Sequence, residues 1–213
     1  MKIGVIQASS QAAKNNLLYE TVKRYAPCSQ VVNFGCKPDE VQRFSYVEIS
    51  VLVGLLLGSG SVDFVVTGCS SGQGMMLACN SIPGVLCGYA PSPMDAYLFA
   101  QINDGKAISL PLGEEYTWTG CENFEQTIAK LFSEPFGQGY PKGEAERKKR
   151  DTLRLKELRS SSQVSFAQFL DRLEQPLIET ILKKRDVLDY ILANGSLETV
   201  EWLVKQREPF LSK

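Results

Sequence analysis

The chain has 213 residues, 44% apolar and 22% charged, with a formal net charge of −1. That balance argues against nucleic acid or an acidic membrane as partner, and the longest apolar stretch, Val51 to Leu57, is far too short to cross a bilayer. There is no histidine, which removes Ser-His-Asp and Cys-His catalysis together with histidine-based metal sites.

The length suits one main domain with an appendage. Lys2 to Ile6 reads as a strand, because its apolar run is too short for an export signal, and a cytoplasmic location is expected. The six cysteines show no CxxC pair, so neither a zinc knuckle nor a thioredoxin-type motif is predicted. Five of them (Cys28, Cys36, Cys79, Cys87 and Cys121) read as small structural residues. The polar run Gln7 to Gln11 follows the first strand, then a helix from about Gln11 to Arg24. Gln30 to Phe34 is a second strand, and Phe44 to Leu57 a mostly buried helix stopped by Gly58 and Gly60.

Val62 to Thr67, strongly β-branched, is the third strand. After the turn Gly68-Cys69-Ser70-Ser71-Gly72-Gln73-Gly74 a helix runs from Met75 to about Asn80. A strand at Gly84 to Gly88, a helix at Pro93 to Asn103, a strand at Lys106 to Leu110 and a helix from about Asn123 to Phe132 complete the alternation. Such alternation predicts a doubly wound α/β fold with a parallel sheet covered on both faces. The main domain is expected over residues 1–136. From 137 to 213 a helical extension is expected, packed on the core or on a partner subunit. It opens with the linker Gly137 to Gly143 and a basic run from Arg147 to Arg159. Its apolar residues then fall at helical spacing (Phe166, Phe169, Leu170, Leu173; Val187, Leu188, Ile191; Val200, Leu203, Val204), with Pro176 expected to kink or split the first helix.

In an open α/β sheet ligands bind beyond the carboxyl ends of the strands, where neighbouring connections diverge. The turn after the third strand is the best candidate. Its backbone N–H groups and the start of the next helix can hold a phosphate, a carboxylate or a developing oxyanion, and the same field makes a thiolate base or nucleophile accessible. Several motifs nearly fit and fail. The Walker lysine is absent, Leu77 stands where a dinucleotide fingerprint needs glycine, and Met75 stands where a cysteine-phosphatase loop needs arginine. Gly68-Cys69-Ser70-Ser71-Gly72 matches the hydrolase elbow, but no histidine exists to build the triad.

The run Cys69 to Gly74, followed by Ala78, Asn80 and Pro83-Gly84-Val85 and resuming at Gln101-Ile102-Asn103-Asp104-Gly105, resembles the type B ribose-5-phosphate isomerases and the galactose-6-phosphate isomerase subunits over roughly residues 1–140. That resemblance implies a three-layer α/β/α sandwich with a five-stranded parallel sheet, in a homodimer or homotetramer. It also implies that Cys69 is the base moving a proton between C1 and C2 of a small anionic sugar through an enediolate. Ser71 and the amides from Gly72 to Gly74 would stabilise the charged oxygen. Ser70, Gln73, Asn103 and, more weakly, Tyr46 would contact the substrate. Such chemistry needs one positioned base and preorganised donors, with no metal or cofactor.

Departures are equally informative. Ala8-Ser9 replaces the family's usual Asp-His pair, Ile102 its ring-opening histidine, and Leu86 a common arginine. The inherited reading is a sugar phosphate such as ribose 5-phosphate or galactose 6-phosphate. The alternative is an open-chain acid sugar, as in the branch that isomerises 4-deoxy-5-hexosulose-uronate, with Ser9, Ser10 and Gln11 as carboxylate donors or as helix caps. Lys142, Arg147 and Arg150 are candidate anion contacts, reaching into a neighbouring subunit's pocket. The rival classes are a non-catalytic sugar-phosphate sensor and a thiol-dependent hydrolase using Cys69 or Ser70.

Overall fold

The computed structural model describes residues 1–115 and 118–211, with side chains described to Arg207. Five strands form one all-parallel sheet: β1 (Lys2–Ile6), β2 (Gln30–Gly35), β3 (Phe64–Cys69), β4 (Cys87–Tyr89) and β5 (Ala107–Pro111), in the order β2-β1-β3-β5-β4. The expected three-layer sandwich is therefore present. Strand β3 runs two residues further than its β-branched core suggests, because Gly68 and Cys69 still pair with Leu110 and Pro111. Cys69 is thus the last residue of a central strand. At the other end, Val62 turns back to the Leu56 carbonyl and so precedes the strand. Strand β4 begins later than Gly84, which sits in a left-handed turn with φ +78°.

Helix α1 (Asn15–Tyr25) is preceded by a 3-10 segment, Ser9–Lys14, broken at Gln11. It lies on one face of the sheet with α4 (Pro93–Leu98) and α5 (Cys121–Leu131) around a core containing Val5, Leu18, Val66, Ile108 and Ile128. A π-helical turn, Phe99–Asn103, follows α4 and ends on Asp104 in the left-handed region, φ +48°. The opposite face carries α2 (Tyr46–Gly58) and α3 (Gln73–Asn80). Helix α2 starts at a capping box in which Ser45 and Glu48 bind each other's backbone N–H regions.

Every residue of α2 from Ile49 to Leu57 is buried, so it lacks the polar stripe of a surface helix. The cause is the C-terminal segment: α6 (Ala145–Ser162), α7 (Phe166–Leu170), α8 (Gln175–Ile181), α9 (Arg185–Asn194) and α10 (Leu197–Leu211). Ile181, Val187, Leu188, Ile191 and Leu203 belong to the same buried cluster as α2. A Cβ on Gly58 would stand 2.5 Å from the Phe166 ring, so this glycine admits the extension. Of the two outcomes expected at Pro176 the stretch shows the split, into α7 and α8, with Pro176 in the first turn of α8, where its missing N–H costs nothing. Helix α6 buries no residue and is held by polar contacts: Thr152 donates to the Ile102 carbonyl, Lys156 pairs with Asp104 at 2.6 Å, and Arg159 donates to the Val85 carbonyl at 2.5 Å. No helix among the described residues is long and apolar enough to cross a membrane.

Candidate active site

Strands β1 and β3 are neighbours, but the chain leaves β1 for β2 on one side and leaves β3 toward β5 and β4 on the other. Their carboxyl ends are therefore the topological switch point of the sheet. The turns beyond them, at 7–11 and 69–73, meet there: the Ala8 N–H donates to the Gly68 carbonyl (3.0 Å), Gln11 Nε2 to Ser70 Oγ (2.9 Å), and Ser70 Oγ to Ser10 Oγ (3.4 Å).

Four of the turn's carbonyls are engaged. Gly68 is held by Ala8 (above), Cys69 by the Leu112 N–H (3.0 Å), Ser70 by the Gly113 N–H (2.9 Å) and Gly72 by the Ser109 hydroxyl (2.6 Å). Met76 is the first residue of α3 whose N–H bonds back, to Gly72 (3.1 Å). The N–H groups of Gln73, Gly74 and Met75 precede it and lack intrahelical acceptors, so the start of α3 is a candidate anion cradle. Gly72, at φ +75°, makes the turn possible: a Cβ there would lie 2.8 Å from Leu110 and Pro111 backbone atoms and from the Tyr89 ring. The Tyr46 ring stands 3.6–3.7 Å from where a Cβ on Gly74 would lie, forming a half-exposed wall.

Cys69, the last residue of β3, is buried with 7% exposure and packs in the apolar cluster shared with α2 and α3. Ser70, Ser71 and Gly74 are half-buried and Gln73 exposed. Ser10 and Gln11 reach this cluster, but Ser9 does not offer a free hydroxyl. It is buried, accepts the Phe44 N–H at 2.8 Å and hydrogen-bonds Cys36. Neither it nor its neighbours cap the 3-10 segment. Burial pushes the Cys36 thiol up, against the smaller opposing effects of Ser9 and Lys184. Lys14 is occupied by Glu114 (2.8 Å) and lies 4.2 Å over Trp118, and its hydrogen bond holds the Glu114 carboxyl below its usual range.

Asn103 lies elsewhere. It precedes β5, whose Ala107 end pairs with Val65 and whose Pro111 end pairs with Cys69, so it stands toward the opposite, amino-terminal ends of the strands. The strand between alone spans about 13 Å. Arg147 is paired with Glu144 (2.5 Å) and Asp151 (3.1 Å), while Lys142 and Arg150 are exposed and make no ion pair among the described residues. All three lie at or near the start of α6, whose later residue Thr152 bonds the π-helical turn that carries Asn103. Within one chain these residues do not join the Cys69 turn. Asn80, part of the resemblance block, is structural: its amide bonds both the N–H and the carbonyl of Cys87. Ser109 was not anticipated. Its only signal is a hydroxyl in the middle of the otherwise apolar strand Ala107–Pro111.

A cavity of about 670 Å³ lies near the amino-terminal ends of the strands, between Met1, Tyr25, Phe64, Asp104 and Phe136. It contains none of the residues that carry a base or an anion cradle. Among the described residues no three acidic, cysteine or histidine side chains gather into a metal site.

Comparison with known proteins agrees with this geometry. The sequence profile of the Ribose/Galactose Isomerase family matches residues 3–152. The structure of a 4-deoxy-L-threo-5-hexosulose-uronate ketol-isomerase complexed with a tartrate is similar at 36% identity and TM-score 0.89, covering 96% of this chain and 98% of that one. A ribose-5-phosphate isomerase from Vibrio parahaemolyticus is similar at 32% identity and TM-score 0.89, covering 97% and 99%. A type B ribose 5-phosphate isomerase from Trypanosoma cruzi, at 23% identity and TM-score 0.63, shares the fold over 76% of this chain and 98% of its own. Curated protein sequences give no match. The switch-point turn, the five-stranded sheet and the profile match lead to one assignment: the chain belongs to the ribose/galactose isomerase family and is a sugar isomerase of the aldose–ketose kind.

Proposed function

We propose that Cys69 is the base that moves a proton between adjacent carbons of an open-chain anionic sugar, and that the 70–74 turn holds the enediolate. The observation that carries this reading is the pairing of a cysteine at the end of β3 with a turn in which the Gly68, Cys69, Ser70 and Gly72 carbonyls are all engaged by the protein. The thiolate removes the proton from the carbon beside the carbonyl, and the electron pair moves onto the carbonyl oxygen. The turn's N–H groups and the Ser71 hydroxyl stabilise that oxygen, and the proton returns to the neighbouring carbon. No histidine is available to open a sugar ring, which favours a substrate that is already linear.

The donors around the turn favour a carboxylate over a phosphate. Ser10, Gln11, Ser70 and Ser71 are neutral, and Lys14 is committed to Glu114. The similarity to the hexosulose-uronate ketol-isomerase supports the same preference. Purified protein assayed with 4-deoxy-L-threo-5-hexosulose-uronate, ribose 5-phosphate and galactose 6-phosphate is expected to turn over the uronate best. Faster turnover of either phosphate rejects the carboxylate assignment, and no turnover of any of the three rejects the isomerase mechanism in favour of a sensor.

The protein acts as a homodimer or a larger homo-oligomer in this reading, with Asn103 and the exposed Arg150 entering a second copy's site. Their distance from Cys69 within one chain supports this. A Cys69→Ala chain and an Asn103→Ala chain, each inactive alone, are expected to recover up to about a quarter of wild-type activity when refolded together, since half the dimers then hold one intact site. Absence of recovery would mean that each chain works alone. The cytoplasm is the proposed compartment.

A further inference from the structure

Lys184, between α8 and α9, is a buried cation: its side chain is 4% exposed. It contacts both oxygens of Glu40 (3.0 and 2.9 Å) and Asp186 (3.1 Å), and lies 5.9 Å over the Phe44 ring. Glu40 in turn accepts the Lys37 N–H at 2.9 Å. Gly35, at φ +87°, permits this approach, since a Cβ there would stand 2.3 Å from the Glu40 carboxylate and 3.2 Å from Lys184 Nζ. The cluster therefore grips the segment 36–44 from the side of the C-terminal helices.

That segment leads directly to the site. Phe44 and Ser9 exchange two hydrogen bonds, Phe44 N–H to Ser9 Oγ (2.8 Å) and Ser9 N–H to the Phe44 carbonyl (2.9 Å). Ser9 is followed by Ser10 and Gln11, which touch Ser70. On the other side of Phe44, the Ser45 cap sets Tyr46 against Gly74. Both walls of the cleft hang from the stretch that Lys184 tethers. The Trypanosoma cruzi enzyme is matched over almost its whole length yet leaves a quarter of this chain uncovered, whereas the two more similar structures cover nearly all of it.

We propose that Lys184 is a positioning residue for substrate binding, through which the C-terminal extension sets the 36–46 wall of the site; the proposal rests on the location of the site proposed above. A buried cation pairs with what surrounds it, and its removal leaves Glu40 without its main partner. The segment then opens more often, and the walls no longer stand where the substrate needs them.

The test compares full-length Lys184→Met, Lys184→Arg and Glu40→Gln with Ile181→Val, which loosens α8 without touching the cluster. Amide hydrogen exchange is followed in segments 8–11 and 36–46, and steady-state kinetics are measured on 4-deoxy-L-threo-5-hexosulose-uronate and ribose 5-phosphate. Lys184→Met and Glu40→Gln are expected to speed exchange in both segments about tenfold and to raise KM about five- to twentyfold, with kcat within about threefold. Lys184→Arg is expected to stay near wild type, and Ile181→Val to leave KM unchanged. The proposal is overturned if Lys184→Met leaves both exchange and KM unaltered, or if Ile181→Val moves KM as much at a matched loss of thermal stability. Should Lys184→Met fail to fold, Glu40→Gln, on a partly exposed side chain, carries the same comparison. If the wild type turns over neither sugar, the isomerase mechanism fails, while the exchange data still decide whether the tether exists.

Discussion

Replacing Cys69 by alanine is expected to lower kcat about 10²- to 10⁴-fold, the range over which a positioned general base acts. The chain should still fold, because the change removes one sulfur from the edge of the core and costs about 1 kcal/mol of burial. Urea unfolding gives the stability and initial rates give kcat. KM should change little, since the thiolate acts on the substrate in the transition state more than in the ground state. A variant with wild-type turnover removes Cys69 from the mechanism. That result would leave Ser70 or Ser71 as the nearest replacements, neither with a histidine to activate it.

Gly72→Ala is the second substitution with a large expected effect, and it acts on the shape of the turn. The backbone there is left-handed, and the added methyl meets Leu110 and Pro111 backbone atoms at 2.8 Å. A strand in the sheet cannot yield as a flexible side chain would. The left-handed penalty of about 1–2 kcal/mol and an overpacking cost of about 1–3 kcal/mol add to a loss of about 2–5 kcal/mol in urea unfolding. Activity should fall at least about a hundredfold, because the turn's N–H groups lose their common focus. Gly74→Ala is the internal control: the nearest atoms to its methyl belong to the Tyr46 ring, at an ordinary contact distance of 3.6–3.7 Å, so the chain should keep its stability. Equal stability of the two variants would contradict the turn geometry.

Much of the fold was legible because the first two thirds of the chain alternate β-branched runs with helical spacing, and glycines punctuate them. The boundaries that moved did so for identifiable reasons. Gly68 and Cys69 look like a turn, yet strand β5 offers them partners. Pro176 splits the helical stretch as expected, and does so by beginning a helix. In a parallel sheet a residue before one strand and a residue after another lie at opposite strand ends, so the separation of Asn103 from Cys69 was implicit in the alternation itself. Ser9 reads as an available donor until its partners, Phe44 and Cys36, are seen across 27 or more residues of chain.

Lys184 was hidden by its setting. It lies in the run Lys183-Lys184-Arg185, which reads as a solvated basic patch, and only the packing of α8 and α9 on α2 draws it inward. Ser109 was hidden in the opposite way, as one hydroxyl among buried apolar neighbours. In both cases the decisive information is the identity of a partner distant in sequence, which composition and periodicity do not contain.

The meeting of the 7–11 and 69–73 turns has a thermodynamic corollary. They follow adjacent central strands, so a sugar bound at the proposed site would straddle the seam between β1 and β3 and bridge the middle of the molecule. Occupancy is then linked to the integrity of the entire sheet, and a ligand at a hundred times its Kd adds about 2.7 kcal/mol to global stability. The cell's supply of substrate becomes, for this chain, a determinant of how long the protein survives.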